Sequence, residues 1–269
     1  MDLELDQQLT VVTGGASGIG RAISETLLQE KCRVAIWDIT DHTSEVADAC
    51  SSEQGTEARG YLVDVTNLDS LSLALKQTIG QQGAVHHLVH CAAIGSGKFG
   101  FPFTNVQPED WSKVLDINVM GMVNVAHVIS PVMIEQGHGS MVFLSSVAGQ
   151  IGSQTDPPYS ASKAANINFA QCVAKDMAPH GIRVNTICPG MIQTPLNKSV
   201  WQAWYDQQPA DKRLSYESWA GEKVRAVIPL GRWQQPQDIA DMAVFLLSER
   251  TANVTGQTIN VDGGFVTHW

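Results

Sequence analysis

The stretch that decides the fold is TGGASGIG, residues 13–20, which directly follows a short apolar run at residues 9–12. Glycine clusters mark turns more often than cofactor sites, so the flanking sequence has to distinguish the two. Here a strand-like run precedes the glycines, and an amphipathic, helix-like stretch at residues 19–29 follows them. This is the setting of a dinucleotide site, because the free N–H groups at a helix N-terminus bind phosphate.

Three glycines of this stretch have distinct predicted roles. Gly14 permits the tight turn, Gly18 lets the backbone approach a pyrophosphate, and Gly20 allows the helix to pack closely. The spacing is TGxxxGxG and not the commoner GxGxxG. We therefore expect residues 13–20 to form a phosphate-binding turn.

Asp38 closes the second strand-like run and predicts which dinucleotide binds. A carboxylate at this place accepts hydrogen bonds from the adenosine ribose hydroxyls, and it repels the 2′-phosphate of NADP. The neighbouring Trp37, Ile39 and Thr40 supply no positive charge that could bind such a phosphate. The sequence therefore favours NAD.

Strand-like and helix-like segments alternate along the whole chain. The predicted strands are residues 9–12, 33–37, 61–63, 87–91, 141–144, 183–187 and 258–261, and the predicted helices are residues 19–29, 45–52, 68–79, 108–136, 160–178 and 236–248. This alternation implies a parallel sheet with helices on both faces, joined by right-handed crossovers. We therefore expect an α/β fold: a single Rossmann-like, doubly wound domain of about seven strands over residues 1–269.

The composition limits the possible partners and compartments. The 269 residues are 43% hydrophobic and 16% charged, which is enough apolar content for a sizeable core. The formal net charge of −10 argues against a nucleic-acid partner, since phosphate recognition requires a basic surface. No apolar run approaches the roughly 18 residues of a membrane span, and the acidic start does not resemble a secretory signal. Five scattered cysteines without a C-x-x-C pair predict reduced thiols in the cytoplasm.

A tyrosine and a lysine four residues apart predict the chemistry. On a helix Tyr159 and Lys163 share one face, and a nearby ammonium favours the phenolate and lowers the tyrosine pKa. Ser146 follows a predicted strand and could donate a hydrogen bond to a substrate carbonyl. Taken alone, a Y-x-x-x-K pair is more often an ordinary solvated helix face.

Six motifs occur together in the order seen in short-chain dehydrogenases/reductases, and the chain resembles that family over residues 9–265. They are TGGASGIG, Asp64-Val65, Asn118-Val119-x-Gly121, Ser145-Ser146, Tyr159-x-x-x-Lys163 and Pro189-Gly190, followed by TGQTINVDGG at residues 255–264. The resemblance implies that Tyr159 is the general acid/base and that Lys163 lowers its pKa and binds the cofactor ribose. It also implies that Ser146 orients the reacting oxygen and that Asn118 supports a proton relay through water.

The same resemblance assigns the cofactor contacts. Asp64 and Val65 are expected at the adenine, and Ile192 and Thr194 at the nicotinamide carboxamide. The predicted cofactor-binding residues are Gly14, Ser17, Gly18, Ile19, Gly20, Asp38, Asp64, Val65, Ala92, Tyr159, Lys163, Pro189, Gly190, Ile192 and Thr194.

One segment departs from the family pattern. After the fourth strand the family usually has NNAG, whereas this chain has His90-Cys91-Ala92-Ala93. The first asparagine commonly helps to tie the central sheet together, so His90 must find another partner or make none. Ala92 is kept and the methyl group added at Ala93 is small, so we expect cofactor binding to persist.

Two further features have more than one interpretation. His86, His87 and His90 suggest a metal site, but no cysteine and carboxylate set completes it, so we expect a structural role and no metal. The aromatic residues between Trp201 and Trp219 suit a substrate lid, an oligomer contact or a packed core. Their position matches the family's mobile substrate lobe, which favours a lid at about residues 195–230.

These features predict an NAD-dependent dehydrogenase that interconverts a secondary alcohol of the polyol, sugar or diol type and its ketone. A 3-oxoacyl or 3-hydroxyacyl oxidoreductase remains an alternative, as does a non-catalytic dinucleotide-binding regulator of the same fold. The family commonly forms tetramers through its two long central helices, so we expect a homotetramer whose other partner is a small alcohol or ketone.

Overall fold

Seven parallel strands form one sheet in the computed structural model, which describes residues 2–153 and 155–267. The strands are β1 (Leu9–Thr13), β2 (Arg33–Asp38), β3 (Ala58–Leu62), β4 (His87–His90), β5 (Gly139–Leu144), β6 (Ile182–Pro189) and β7 (Thr258–Val261). Their order across the sheet is β3-β2-β1-β4-β5-β6-β7. The predicted doubly wound parallel sheet is confirmed.

Helices cover both faces of this sheet. They are α1 (Gly18–Gln29), α2 (Thr43–Gln54), α3 (Leu68–Gln82), α4 (Glu109–Leu115), α5 (Gly121–Gln136), α6 (Pro157–Met177), α7 (Pro195–Asp206), α8 (Tyr216–Val227) and α9 (Pro236–Leu247). One core cluster lies between the sheet and α1, α2 and α9, and a second lies between the sheet and α3, α5 and α6. The central strands are mainly apolar because both of their faces are buried, whereas β3 and β7 at the two edges are covered less completely.

The edge strand β3 was located only in part by the sequence. It begins at Ala58 and not at residue 61. Arg59 and Leu62 are exposed, whereas Ala58 and Tyr61 are buried. A strand at the edge of a sheet is covered less completely, so it lacks the continuous apolar run that marks the central strands.

The long helical stretch Glu109–Gln136 contains a π-helical turn, Asp116–Met120, between α4 and α5. By length and composition alone this stretch could cross a membrane, although the sequence contains no unbroken apolar run of that length. The core helix of a water-exposed fold passes the same test, and here α5 packs against α3 and α6. A few polar residues interrupt the stretch but leave its average apolarity high.

The region at residues 197–230 is more regular than expected. It contains most of α7 and all of α8, with a short 3₁₀ turn, Ala210–Lys212, between them. Thr194 caps α7 and Ser215 caps α8, since each side chain accepts a backbone N–H of the first helical turn. Pro209 and the scattered charges conceal this pattern in the sequence.

Candidate functional site

A large cavity opens at the carboxyl ends of the strands, where ligands bind in doubly wound folds. Its volume is about 1510 Å³. Gly14, Asp38, Cys91, Leu144 and Gly190 lie in its wall, each at or just beyond the end of a different strand. Every predicted cofactor-binding residue lines this cavity, and so do three of the four predicted catalytic residues. The exception is Asn118.

The glycine turn is closed so tightly that side chains would not fit. Gly14 has a φ of +65°, and a Cβ atom there would lie 2.8 Å from the backbone nitrogen of Ala92. A Cβ atom on Gly20 would overlap the carbonyl oxygen of Gly14. The N–H of Gly14 donates to the carbonyl of Trp37 at 2.8 Å, which joins the turn to β2.

The N-terminus of α1 faces the same cavity. Ser17 is the N-cap residue, but its side chain makes no capping hydrogen bond, and Gly18 has a φ of +52°. The first N–H groups of a helix have no partner within the helix, and together they carry a partial positive charge. Ser17, Gly18 and Ile19 line the cavity, so this cradle fits a pyrophosphate group.

Asp38 and Asp64 stand at the ends of β2 and β3 in the cavity wall. The carboxylate of Asp38 is almost fully buried and accepts the N–H groups of Ala16 at 3.0 Å and Thr40 at 3.3 Å. Each carboxylate oxygen can accept two hydrogen bonds, so acceptor capacity remains on both. Asp64 accepts the backbone N–H and the hydroxyl of Thr66 at 2.8 and 2.7 Å.

Ser146, Tyr159 and Lys163 meet in the cavity. Burial raises the pKa of Tyr159 to about 12, and a hydrogen bond with Ser146 opposes this rise. Lys163 is 2% exposed, and its burial lowers the pKa of the ammonium to about 8. The Nζ atom of Lys163 lies 5.5 Å from the centroid of the Tyr159 ring and donates to the carbonyl of Leu144 at 2.8 Å.

The pKa of Tyr159 is therefore raised by the protein alone, and its lowering by Lys163 together with the positive charge of a bound nicotinamide stays a prediction. The charge of Lys163 lies against the face of the Tyr159 ring, and its ammonium donates a hydrogen bond to Leu144. Lys163 therefore does not offset the rise in the Tyr159 pKa that burial causes. Burial outweighs the remaining interactions because the phenolate loses its hydration in the cavity wall.

Asn118 lies in the π-helical turn, fully buried behind the cavity wall. Its amide nitrogen donates to the carbonyl of Ile94 and the hydroxyl of Ser162, both at 2.9 Å, and its amide oxygen accepts the N–H of Ile94 at 2.8 Å. Both N–H donors are thus engaged, and the relay through water stays a prediction for Asn118. The side chain joins the segment after β4 to the helix that carries Tyr159. A π-turn is common at functional sites.

Comparison with known proteins agrees with this geometry. The family model described as enoyl-(acyl carrier protein) reductase matches residues 14–266. The 3-oxoacyl-[acyl-carrier-protein] reductase of Thermotoga maritima is 31% identical over 264 residues, which cover 98% of this chain and 100% of the relative. The 2-(S)-hydroxypropyl-CoM dehydrogenase 3 of Xanthobacter autotrophicus is also 31% identical and covers 98% of both chains. The chain belongs to the short-chain dehydrogenase/reductase family.

Solved structures of this family resemble the chain over nearly its whole length. The L-sorbose reductase of Gluconobacter frateurii, complexed with NADPH and L-sorbose, has a TM-score of 0.90 at 26% identity and covers 100% of both chains. An NAD⁺-bound xylitol dehydrogenase has a TM-score of 0.89 at 27% identity and covers 97% of this chain and 100% of its own. The protein is thus an oxidoreductase acting on CH–OH donors. This finding disfavours the alternative of a non-catalytic dinucleotide-binding regulator.

His90, where short-chain dehydrogenases/reductases usually have asparagine, finds a partner within the sheet. Its Nδ1 atom lies 2.8 Å from the hydroxyl of Thr13 on β1, directly across the β1–β4 pair. Its ring meets Phe143 of β5 edge to face, with centroids 6.2 Å apart. His90 therefore connects three central strands, while its Nε2 atom is buried without a hydrogen-bond partner among the described residues.

We expect His90→Asn to make the protein less sensitive to acid. Burial lowers the pKa of His90 to about 3, so below its ordinary value of 6.5 only the unfolded chain takes up this proton. The fold therefore loses stability as pH falls from about 6.5 toward 3, and one such histidine costs about 2 kcal/mol between pH 7 and 5. Urea unfolding at both pH values should show a loss smaller by about this amount in the variant.

The exposed His42 provides the matched control. His42→Asn should keep the wild-type dependence of stability on pH. If His90→Asn loses as much unfolding free energy between pH 7 and 5 as wild type does, the buried neutral ring of His90 is not the cause of the acid sensitivity.

The neighbouring His86 and His87 each form a hydrogen bond within the protein. The Nδ1 atom of His86 accepts the N–H of Leu9 at 3.0 Å, and the Nε2 atom of His87 pairs with the side-chain oxygen of Gln8. Within residues 2–153 and 155–267, no group of three or more His, Cys, Asp or Glu side chains could hold a metal ion.

The aromatic residues of α7 and α8 pack mainly against one another. Trp201 contacts Tyr205 and Tyr216 with ring centroids 5.1 and 5.7 Å apart, and Trp204 and Tyr216 each lie 6.3 Å from Trp219. They form a small core for this lobe. Another part of α7 reaches the cavity, whose wall includes Leu196, Asn197 and Val200.

The end of the cavity near Tyr159 contains residues that sequence reasoning missed. This part of the wall, here called the Tyr159 end, consists of Gly95, Ser153, Asp156, Leu196, Asn197 and Val200. The signal for Asp156 was present in the sequence: an aspartate followed by Pro157 and Pro158 marks a helix start, and α6 does begin at Pro157.

Proposed function

We propose that the protein is an NAD-dependent dehydrogenase that interconverts a secondary alcohol of the polyol, sugar or diol type and its ketone. Tyr159, Ser146 and Lys163 meet in the cavity that also contains the phosphate cradle of α1, and this arrangement carries the proposal. At the Tyr159 end, Ser153, Asp156 and Asn197 supply hydroxyl, carboxylate and amide groups beside the apolar Leu196 and Val200, and its described residues include no arginine, which suits a neutral substrate with polar groups.

The cofactor is a nicotinamide dinucleotide. When bound, it would accept hydride in its oxidised form, which also carries a positive charge, and donate hydride in its reduced form. Gly14, Ser17, Gly18, Ile19 and Gly20 would hold its pyrophosphate. Asp38 would bind the adenosine ribose, while Asp64, Val65 and Ala92 would lie at the adenine side. Pro189, Gly190, Ile192 and Thr194 would position the carboxamide.

The chain's own residues would move the proton. During oxidation the Tyr159 oxygen would accept the proton of the substrate hydroxyl, while Ser146 donates a hydrogen bond to the reacting oxygen. Lys163 uses one N–H donor on Leu144 and keeps two for a ribose. Asn118 would act as a positioning residue that fixes the segment at Ile94 against α6.

Asp38 is the basis for proposing NAD over NADP. Its carboxylate is nine-tenths buried and would face the 2′ position of the ribose, where a phosphate would meet a like charge. The solved relatives include complexes with NADPH and with NAD⁺, so family membership alone does not select the cofactor.

We expect Asp38→Ala to weaken NAD binding by about ten- to a hundredfold, the range for a hydrogen bond to a charged group. Affinity for NADP should rise or stay level, so the preference for NAD narrows. Fluorescence titration with both cofactors measures this. Asp41→Ala removes an exposed carboxylate three residues away, outside the cavity wall, and should change neither affinity. Equal affinities in wild type and Asp38→Ala would refute the role of Asp38.

The second candidate is a 3-oxoacyl or 3-hydroxyacyl oxidoreductase. The family model and the curated relative from Thermotoga maritima favour it. The polar wall at the Tyr159 end favours the polyol type, because an acyl chain would have to displace water from those groups without replacing their hydrogen bonds. Initial rates with polyols, sugars, diols and acyl thioesters, each with both cofactors, distinguish the two. Turnover of thioesters alone would reverse the preference.

Residues 1–269 would form one dinucleotide-binding domain, with α7 and α8 as a lid over the Tyr159 end. Leu196, Asn197 and Val200 in the cavity wall support the lid. We also propose a cytoplasmic homotetramer assembled through α5 and α6, since Ile134 of α5 leaves apolar surface exposed. A monomer in light scattering would contradict the assembly.

A further inference from the structure

Asp156 is a buried carboxylate in the wall of the cavity, three residues before Tyr159. It is 6% exposed and is the N-cap residue of α6. Its Oδ2 atom accepts the N–H of Ser96 at 2.8 Å, and its Oδ1 atom accepts the N–H of Tyr159 at a long 3.4 Å. It thus joins the helix of the catalytic tyrosine to the segment that follows β4.

These bonds leave part of the carboxylate unused. A carboxylate has about four acceptor positions, and among the described residues the N–H groups of Ser96 and Tyr159 and the side chain of Ser96 fill at most three of them. No Lys, Arg or His forms an ion pair with Asp156 within the part of the chain that the structure describes. Burying a charge is costly unless it is paired or hydrogen-bonded, and burial raises the pKa of Asp156. Helix capping alone would not require the carboxylate to stand in the cavity wall.

The absence of a side chain at Gly95 preserves space around this carboxylate. A Cβ atom on Gly95 would lie 2.8 Å from the Oδ2 atom of Asp156 and 3.6 Å from the Cδ1 atom of Leu196. Gly95, Asp156 and Leu196 therefore come together at the Tyr159 end. Asp156 stands where the segment after β4 meets the first turn of α7.

Asn197, the next residue on α7, complements Asp156 chemically. The hydroxyl of Tyr216 donates to its amide oxygen at 2.9 Å, and this bond fixes the orientation of the amide. The amide nitrogen has no hydrogen-bond partner among residues 2–153 and 155–267, so its N–H donors are available to a ligand in the cavity that Asn197 lines. A hydroxyl group can donate to Asp156 and accept from Asn197, whereas a carboxylate only accepts and an ammonium only donates.

We infer that Asp156, together with Asn197, determines specificity by hydrogen-bonding a substrate hydroxyl other than the one being oxidised. This inference rests on the proposed function and narrows its substrate class to alcohols with at least one further hydroxyl near the reacting carbon. A carboxylate substituent at that position is rejected by the charge of Asp156.

The test compares two substrates in wild type and Asp156→Asn. One is the polyol or diol that wild type oxidises fastest, for example 2,3-butanediol, and the other is its analogue with one hydroxyl, here 2-butanol. Asparagine caps helices as well as aspartate does, so the start of α6 is retained. We expect the ratio of kcat/KM for polyol over mono-alcohol to fall about fivefold or more, the effect of replacing a charged acceptor by a neutral one in one hydrogen bond.

A second variant guards against a folding defect at α6. Asn197→Ala leaves the cap of α6 intact and should also lower the ratio of kcat/KM for polyol over mono-alcohol. The fall should come from a higher KM for the polyol. Asp238→Asn makes the same exchange of carboxylate for amide in the first turn of α9, outside the cavity wall, so its ratio should equal that of wild type.

The outcomes separate the two levels of the proposal. If Asp156→Asn lowers both rates equally, or neither, Asp156 acts only as a helix cap and the inference is overturned. If wild type oxidises mono-alcohols but no polyol or diol, the inference fails while the alcohol dehydrogenase chemistry stands. Turnover of acyl thioesters alone would overturn the proposed function and the inference with it.

Discussion

Tyr159→Phe should lower kcat for alcohol oxidation by about 10² to 10⁴, the usual contribution of a positioned general acid/base. The change removes one oxygen atom and keeps the ring, against whose face Lys163 lies at 5.5 Å. The cofactor cradle of α1 belongs to a different element, so cofactor affinity should stay within about threefold of wild type. NADH formation with a saturating alcohol measures the first quantity, and fluorescence titration measures the second.

The dependence on pH provides an independent check of the same residue. Burial raises the pKa of Tyr159 to about 12, so at neutral pH the free protein holds little phenolate. Below the pKa, the phenolate fraction grows tenfold with each pH unit, so the wild-type oxidation rate should rise with pH across neutrality. Residual activity of Tyr159→Phe should lack this rise.

Tyr205→Phe is the matched control. It deletes the same oxygen atom from a tyrosine of α7 that is outside the cavity wall. Its rate and pH profile should equal those of wild type. If Tyr159→Phe also behaves like wild type, proton transfer uses another group and the proposed mechanism fails.

The sequence predicted the elements whose signal is local. The run at residues 33–37 lies within β2, which is buried from Val34 to Asp38, and the glycine turn lies between β1 and α1 as its pattern indicates. A strand buried on both faces is continuously apolar, and a tight turn needs glycine, so both are visible without knowledge of the fold. The same holds for the meeting of Tyr159 and Lys163, which follows from helical spacing.

Features that depend on distant partners were not predictable. His90 pairs with Thr13 because parallel register sets them side by side, and no spacing within the sequence encodes that register. The pKa of Tyr159 depends on burial and on where the Nζ atom of Lys163 points. Asn118 has its amide engaged by Ile94 and by Ser162, two separate elements that only the tertiary structure brings together.

Gly20→Ala should destabilise the protein and abolish tight cofactor binding. A Cβ atom at this position would overlap the carbonyl oxygen of Gly14, which is backbone and cannot swing aside as a side chain could. Gly14 is itself held by its hydrogen bond to Trp37, and there is no room for a further atom between it and Ala92. The turn must therefore open, and overpacking of this kind costs about 1–3 kcal/mol or more. Urea unfolding and NAD titration measure the two effects.

Gly80→Ala provides a control of opposite sign. Both glycines lie in helices without a positive φ, so alanine brings each the same gain in helix propensity, about 0.5–1 kcal/mol. Gly80 is exposed on α3, and a Cβ atom there meets nothing within 4 Å, so this variant should be more stable than wild type and bind NAD normally. The difference in unfolding free energy between Gly20→Ala and Gly80→Ala therefore measures the cost of the steric contact with Gly14. If Gly20→Ala binds NAD as wild type does, the tight closure of this turn is not what shapes the phosphate cradle.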